Sequence, residues 1–333
     1  MGVRKDRTVH RAFLICLFVS LAPITCCNAV AANVAPYPNK PVRFIVPSGA
    51  GGGTDTVARL VGQKLTERWT YQVVIDNRAG AAGNIAADMA ARSAPDGHTL
   101  FLGFTIHAIN ASLYPNLTYD LVKDLAPVTI INYSQNILVV HPSVAATTVR
   151  ELIELARGAP GKWNYASAGS GSPQHLGMEM FKTMANVQLT HVPYKGGPAA
   201  NNAVLTAEAP ILLGSIPTML PHIRSGRLRA LAVSDLKRTR FLPDVPTISE
   251  SGLSGYELTI WYGMFVPAQT SEAIIKRLHQ HVAAIVQLPD IQERFNNLGL
   301  IPVGSSPREL AATVKADIDK YRRVIKQSGA KVE

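Results

Sequence analysis

A cluster of small residues follows the first apolar run of the chain. Its members are Ser48, Gly49, Ala50, Gly51, Gly52, Gly53, Thr54 and Asp55. Because glycine lacks a Cβ atom, backbone N–H groups here can converge on a bound group, and the helix predicted after them adds its positive end. The cluster therefore predicts a site for a carboxylate or another anion. A tight turn in which Thr54 or Asp55 caps the helix is the alternative interpretation.

A second cluster of small residues precedes a helix predicted to begin at Pro173. Its members are Ser167, Ala168, Gly169, Ser170, Gly171 and Ser172. Proline suits the first position of a helix, so this turn also points at a helix start. Two such turns facing each other across a cleft would hold the two ends of a small anion.

Two further loops follow predicted strands. Thr105, His107 and Asn110 come after the third strand, and Tyr194 precedes a helix. In open α/β sheets, ligands bind beyond the carboxyl ends of the strands, where such loops lie. We expect ligand contacts from these residues, although ordinary loop positions would look the same.

Several other chemistries fit the sequence less well. No Gly-Lys-Ser/Thr follows the first glycines, and Thr54 occupies the last position of a G-x-G-x-x-G spacing. Ser170 lacks the first glycine of a nucleophile elbow. His279 and His281, two apart, fall on different faces of a predicted helix, which disfavours a metal site. We predict a protein that is not an enzyme and has no cofactor and no metal.

The elements that position these clusters alternate between strand and helix. Apolar runs predict strands at 42–46, 72–75, 99–103 and 137–140, and helical spacing or capping residues predict helices from 84, 148, 172 and 306. This alternation predicts α/β lobes with mainly parallel sheets. Two interleaved lobes are expected, with crossings near Gln135-Asn136 and near Tyr256. The first lobe comprises residues 36–136 plus 257–333, and the second comprises residues 137–256.

The N-terminal segment is typical of an exported protein. Four basic residues up to Arg11 precede an apolar stretch that ends at Cys27, and Ala29-Val30-Ala31 follows. This order predicts a cleaved signal peptide at 1–31 and a periplasmic location. All three cysteines lie inside that segment, so the mature chain has no thiol chemistry. An uncleaved anchor, or lipid attachment at Cys26 or Cys27, is the alternative.

The charge balance indicates an anionic partner other than nucleic acid. The whole chain carries a formal net charge of +10, and residues 1–31 contribute +3 of it, which leaves +7 on the mature chain. A basic protein attracts anions. Since the Lys and Arg residues are dispersed and no aromatic-interleaved RNA motif occurs, we predict no nucleic-acid partner.

Taken in order, the short motifs of the chain resemble those of the Bug-type substrate-binding proteins of tripartite tricarboxylate transporters. The motifs are Val46-Pro47 with 50–55, Asn77-Arg78 with 80–83, 95–100, 170–172 through His175-Leu176, Tyr194-Lys195-Gly196, 226–233, 243–247 and Trp261-Tyr262-Gly263. The resemblance implies a two-lobed Venus-flytrap fold that binds small carboxylates largely through main-chain groups and ordered water. It implies a site at 48–55, 105–110, 167–172 and Tyr194.

The chain departs from the family pattern at two places near the expected cleft. Ser48-Gly49 stands where the family often has Phe-Pro or Tyr-Pro, which indicates a roomier or more polar cleft. Pro210 stands where the family usually has an acid, in the segment that leads to Ser215, a further expected ligand contact. The resemblance therefore does not transfer a ligand preference.

The leading hypothesis is a monomeric periplasmic binding protein that delivers a carboxylate to the permease subunits of a tripartite transporter. One alternative is a protein that presents its ligand to a membrane sensor kinase. Another is a hydrolase or isomerase that uses Ser170, His175 or His107.

Overall fold

The computed structural model describes residues 1–3 and 37–331. Residues 4–31 of the predicted signal peptide, including Cys16, Cys26 and Cys27, lie outside the described residues. The predictions of cleavage and of lipid attachment therefore concern a part of the chain on which the structure gives no information.

Ten strands and ten helices make up the described part of the chain. The strands are β1 Val42–Val46, β2 Val73–Asn77, β3 Thr99–Phe104, β4 Leu125–Val140, β5 Asn164–Ser167, β6 Thr190–Pro193, β7 Ile211–Ser215, β8 Arg229–Val233, β9 Thr259–Pro267 and β10 Leu300–Pro302. The helices are α1 Gly53–Trp69, α2 Asn84–Ala91, α3 Thr105–Leu113, α4 Val149–Gly158, α5 Pro173–Ala185, α6 Gly197–Leu205, α7 Ile216–Arg224, α8 Glu272–Val286, α9 Pro289–Asn297 and α10 Pro307–Ser328. A short 3-10 turn, Ala81–Gly83, precedes α2.

The strands form one connected sheet in the order β2-β1-β3-β9-β4-β7-β5-β6, and β8 and β10 also pair with β4. Among the described residues, five of the nine strand pairs are antiparallel. The prediction of mainly parallel sheets is therefore wrong. Its source is the long antiparallel pair of β4 with β9, which joins segments more than a hundred residues apart and leaves no local signal in the sequence.

Strand β4 belongs to two groups of strands. It pairs with β9 as far as Gln135, opposite Thr259. From Asn136 onwards it pairs with β7 on one edge and, from Ile137, with β8 on the other. The predicted strand at 137–140 is only the end of β4, because Asn132, Ser134 and other polar residues interrupt the apolar pattern before it.

Helices cover both faces of each group of strands. Along β1, Phe44 and Val46 pack into a core with α1 and α8, whereas Ile45 between them packs into a core with α2 and α10. Along β4, Leu138 and Val139 likewise point into different cores. This alternation places a hydrophobic layer on each face of the strands.

The predicted helix starts are confirmed at three capping residues. The hydroxyls of Thr148, Ser172 and Ser306 each accept a hydrogen bond from the backbone N–H three residues later. At α10 the two residues form a reciprocal capping box, because the Glu309 carboxylate also accepts a hydrogen bond of 2.7 Å from Ser306 N. At α4 the Glu151 carboxylate accepts instead from the N–H of Thr147, at 2.6 Å. The polar caps fix where α4, α5 and α10 begin.

Helix α5 lies close to the sheet because Gly177 has no side chain. A Cβ atom there would lie 2.7 Å from methyl groups of Leu213 and Leu258. The carbonyl of Gly177 also accepts a hydrogen bond of 3.1 Å from the hydroxyl of Tyr256. The close approach sets the position of the turn at 167–172, which leads into α5.

We expect Gly177→Val to lower the free energy of unfolding by about 1–3 kcal/mol through overpacking of this contact. Urea unfolding followed by circular dichroism measures the change. The matched control is Gly158→Val at the end of α4, where a Cβ atom meets nothing within 4 Å. Equal losses in the two variants would contradict the role assigned to Gly177.

Candidate functional site

The predicted site residues lie where strands end and helices begin. Helices α3 and α7 start directly after β3 and β7, and α1, α5 and α6 start after short turns that follow β1, β5 and β6. Gly52, Gly196 and Ser215, which precede α1, α6 and α7, make no side-chain capping hydrogen bond. The first N–H groups of these three helices are therefore without a side-chain cap, and their positive ends suit an anion.

Asp55 holds the first glycine turn together. Its carboxylate accepts hydrogen bonds from Gly51 N at 2.8 Å, Arg59 Nε at 2.9 Å and Asn77 Nδ2 at 3.0 Å. Burial by itself raises the pKa of Asp55, but the hydrogen bonds from Arg59, Gly51 and Asn77 outweigh burial and lower it. The ionised carboxylate thus shapes the turn without capping α1, and it repels rather than attracts an anion.

The backbone of the same turn faces outward. Thr54 is buried and its hydroxyl lies 2.5 Å from that of Ser48, so these two side chains pair with each other. Gly49, Ala50 and Gly51 are exposed, as is Gly53. The groups that remain for a ligand are mainly backbone N–H groups, as the glycine content predicts.

Tyr262 lies beside this turn and was not among the predicted site residues. Its hydroxyl would lie 3.7 Å from a Cβ atom at Gly53, and its ring stacks on Phe104 with centroids 5.8 Å apart. Burial raises the pKa of Tyr262 to about 12, so the hydroxyl keeps its proton at neutral pH. A protonated hydroxyl next to the start of α1 is a hydrogen-bond donor for an anion.

Thr105, His107 and Asn110 of α3 are fully buried. The Thr105 hydroxyl accepts from Trp261 N at 3.0 Å. Asn110 Nδ2 donates to the carbonyl of Ala82 at 3.0 Å and so fixes the Ala81–Gly83 turn. Direct contact of these three side chains with a ligand stays a prediction, because all three are buried.

His107 lies against Gly83 and two aromatic rings. A Cβ atom at Gly83 would lie 2.9 Å from His107 Nε2, and Phe101 and Phe104 each make an edge contact with the imidazole. Burial lowers the pKa of His107 to about 4. The imidazole is therefore neutral at physiological pH and contributes no positive charge to the site.

A hydrogen-bonded network underlies the second turn. Ser167 Oγ accepts from Gly169 N at 3.1 Å and lies 2.6 Å from His191 Nε2. Gly171 N donates to His175 Nδ1 at 3.0 Å, and His175 stacks on His191 with centroids 3.9 Å apart. The turn is thereby fixed from below, while Ala168, Gly169 and Ser170 are partly exposed.

His175 lacks the arrangement of a general base for Ser170. Its Nδ1 accepts from Gly171, and its Nε2 faces the Glu179 carboxylate at 3.8 Å. Glu179 in turn accepts from Tyr165 at 2.5 Å and pairs with Lys182 at 2.6 Å. Burial lowers the pKa of His175. Both ring nitrogens thus face structural partners rather than a nucleophile.

Tyr194 and Ser215 join the second turn at the same edge of the sheet. Tyr194 N donates to the carbonyl of Ser167 at 3.0 Å. Ser215, at the end of β7, lies opposite Asn136 of β4, whose Oδ1 is 3.4 Å from Gln174 Nε2. Burial, together with the charge of Glu208, raises the pKa of Tyr194. The residues predicted in the second lobe are thus brought together.

Two asparagines of β4 are site candidates that sequence reasoning missed. Asn132, opposite Tyr262, and Asn136, opposite Ser215, are both fully buried. Within the described part of the chain, Nδ2 and Oδ1 of Asn132 and Nδ2 of Asn136 have no hydrogen-bond partner. Unpaired buried amides are costly unless a ligand or water meets them. The period-2 spacing of Asn132, Ser134 and Asn136 was the available signal.

Comparison with known proteins identifies the family. Residues 57–330 match the family described as tripartite tricarboxylate transporter family receptor. The chain belongs to this family. The resemblance seen in the motifs is thereby confirmed.

Three solved structures are similar along nearly the whole chain. Rpa4515 of R. palustris with adipate is 35% identical, covers 89% of this chain and 100% of its own, and has a TM-score of 0.80. The periplasmic binding protein BugD is 31% identical, with coverages of 89% and 100% and a TM-score of 0.76. MatC from Rhodopseudomonas palustris with bound malate is 30% identical, with coverages of 87% and 100% and a TM-score of 0.76. The predicted two-lobed α/β fold of a periplasmic binding protein is confirmed.

Among residues 1–3 and 37–331, no helix combines the length and apolar character required to cross a membrane.

The neutral state of buried His107 predicts a pH-dependent stability. Its folded pKa of about 4 lies below the ordinary value of 6.5, so its contribution is full above pH 6.5 and is lost as the pH falls towards 4. Between pH 6.5 and pH 4, we expect the free energy of unfolding of the wild type to fall by up to about 3 kcal/mol more than that of His107→Asn. The reason is that asparagine keeps an acceptor for Phe104 N but does not titrate.

Urea unfolding at a series of pH values measures this difference, and His279→Asn, at a partly exposed position on α8, is the control. Parallel stability profiles for the wild type and His107→Asn would contradict the buried, neutral imidazole.

Proposed function

We propose that this protein captures a small organic carboxylate between two lobes and delivers it to the permease subunits of a tripartite transporter. The observation that carries the proposal is the set of N-termini of α1, α6 and α7, which have no side-chain cap. They stand at the carboxyl ends of β1, β6 and β7, which belong to both groups of strands. Helix N-termini attract anions through their N–H groups and dipole.

The ligand class is supported by the neutral surroundings and by the relatives. His107 is neutral and Asp55 is engaged in its own turn, so the attraction for an anion rests on N–H and hydroxyl donors. Such donors form charge-assisted hydrogen bonds with a carboxylate. Adipate and malate, named with two of the solved relatives, are both dicarboxylates. We infer a small mono- or dicarboxylate for this protein.

The proposed lobes are residues 36–136 plus 257–333 and residues 137–256. The exchange of partners along β4 between Gln135 and Asn136 supports the first crossing, and the start of β9 at Thr259 supports the second. Tyr321, in the last turns of α10, packs with Leu138 and Phe181 of the second lobe. Helix α10 therefore contacts both lobes, and closure must keep or rearrange this contact.

We propose that the protein is exported to the periplasm. There it would bind the carboxylate before the ligand reaches the permease. The basic and apolar order of residues 1–31 supports this location. Membership of a transporter receptor family supports delivery to membrane subunits.

We expect carboxylates to stabilise the protein where their amides do not, because the amide forfeits the charge-assisted bonds. At a concentration 100 times the dissociation constant, a bound carboxylate adds about 2.7 kcal/mol to the free energy of unfolding. A thermal-shift screen with adipate, malate, aromatic acids, adipamide and neutral sugars measures this. Stabilisation by neutral compounds alone would contradict the carboxylate class.

A gene deletion tests delivery to the transporter. We expect cells without the gene to lose uptake of the stabilising acid and the wild-type gene to restore it.

Gly52→Val tests the first turn. A Cβ atom there would lie 3.2 Å from Ser48 Oγ and 3.4 Å from the carbonyl of Gly49, so a branched side chain presses on the turn next to the first N–H groups of α1. We expect a loss of carboxylate affinity of about tenfold or more with little change in unfolding. Calorimetric titration measures it, with Gly158→Val as the control. Binding at wild-type affinity by folded Gly52→Val would remove this turn from the site.

A further inference from the structure

A cavity lies on the face of β4 that is opposite to Asn132 and Asn136. Since side chains alternate along a strand, Asn132 and Asn136 point to one face while Tyr133 and Gln135 point to the opposite one. On that opposite face, a cavity of about 710 Å³ is bounded by β4, β9, α10 and the segment after β8. None of the predicted ligand residues lines it. It is therefore separate from the carboxylate site proposed above.

We call this space the hinge cavity. Three of its lining residues, Gln135, Asp235 and Glu257, carry hydrogen-bond acceptors. Gln135 is only 3% exposed and lines the cavity, and its Oε1 has no hydrogen-bond partner within the described residues. Asp235, 9% exposed, accepts a hydrogen bond from the hydroxyl of Thr259. Glu257 contributes a further carboxylate to the lining. A buried acceptor without a donor indicates that something that carries a donor belongs there.

Four basic side chains line the cavity; Lys320, Arg238 and Arg240 have partners among the described residues, and the fourth, Lys237, is exposed. Lys320 pairs with Asp317 at 2.8 Å, and the Trp261 indole N–H donates to the same carboxylate at 2.8 Å. Arg238 pairs with Glu250 at 2.9 Å, and Arg240 donates to Asn296. These three side chains thus have partners of their own, whereas Gln135 Oε1 has none within the described residues.

The walls are apolar and aromatic. Trp261 and Tyr133 lie opposite each other across the β4–β9 pair, and Ile301 of β10 lies opposite Tyr133 on the other edge of β4. All three line the cavity together with Leu236 and Ala316. Aromatic faces attract a desolvated ammonium group, and apolar walls hold a hydrocarbon body.

We propose that the hinge cavity is a second ligand site, which takes a small primary amine with an apolar body. The ammonium group donates to Gln135 Oε1 and to the Asp235 carboxylate, and the apolar body packs against Trp261 and Tyr133. The site is distinct from the carboxylate site in face and lining.

The ionisation of Asp235 makes the binding pH-dependent. Burial and, to a lesser degree, the charge of Glu257 raise the pKa of Asp235, a hydrogen bond from Gln135 and the charge of Lys320 lower it, and the net pKa is about 7. The other charged groups of the lining are Lys237, Arg238, Arg240 and Asp317. Ionised Asp235 attracts an ammonium group, so affinity for the amine rises between pH 6 and pH 8.

Calorimetric titration of the full mature chain with benzylamine, benzyl alcohol and benzoate tests the proposal. We expect saturable binding of benzylamine, about tenfold or more tighter than benzyl alcohol, and tighter at pH 8 than at pH 6. Gln135→Leu and Asp235→Asn should each weaken benzylamine binding about tenfold or more. Gln280→Leu, at an exposed position of α8, is the matched control and should bind as the wild type does.

Ala316→Trp provides a variant that removes no hydrogen bond. Ala316 is exposed on α10 and lines the cavity, so a large side chain there should fill the space and abolish benzylamine binding without disturbing the fold. The proposal is overturned if benzylamine shows no saturable binding to the wild type. It is equally overturned if benzylamine binds Gln135→Leu and Ala316→Trp as tightly as it binds the wild type.

Discussion

The backbone hydrogen bonds of β4 join the two groups of strands that carry the proposed ligand contacts. This strand pairs with β9 up to Gln135 and with β7 from Asn136, so a single run of backbone carries both groups of strands. Strands β1 and β3 run towards the second group, while β5, β6 and β7 run towards the first. Because helices follow these strands, their positive ends face the same region from two sides.

The proposed carboxylate site would hold negative charge without a buried lysine or arginine, since none occurs among the described residues. Asp55 is ionised but its oxygens are engaged by Gly51, Arg59 and Asn77, and burial keeps His107 neutral. A buried lysine or arginine would carry a desolvation cost and would favour one spacing of carboxylates. Backbone N–H groups carry no net charge, so the proposed site avoids this cost.

Local features of the site were predictable from sequence and long-range ones were not. The glycine turn before α1 and the cap at Ser172 depend on neighbouring residues, and both occur where the sequence places them. Asn132 becomes a site candidate only through its pairing with Tyr262, 130 residues away. Conversely, Thr105 follows a strand as predicted, but its hydroxyl accepts a hydrogen bond from Trp261 N. No local sequence pattern reveals this distant contact.

The alternation of β4 gives its two faces different chemistry. Asn132 and Asn136 lie opposite Tyr262 and Ser215, with their amides on one face. Gln135 points to the other face and lines the hinge cavity with Asp235. Strand geometry requires neighbours to point apart, so polar residues in consecutive positions serve two compartments rather than one. We explain the run of polar residues at 134–136 by the position of β4 between the proposed carboxylate cleft and the hinge cavity.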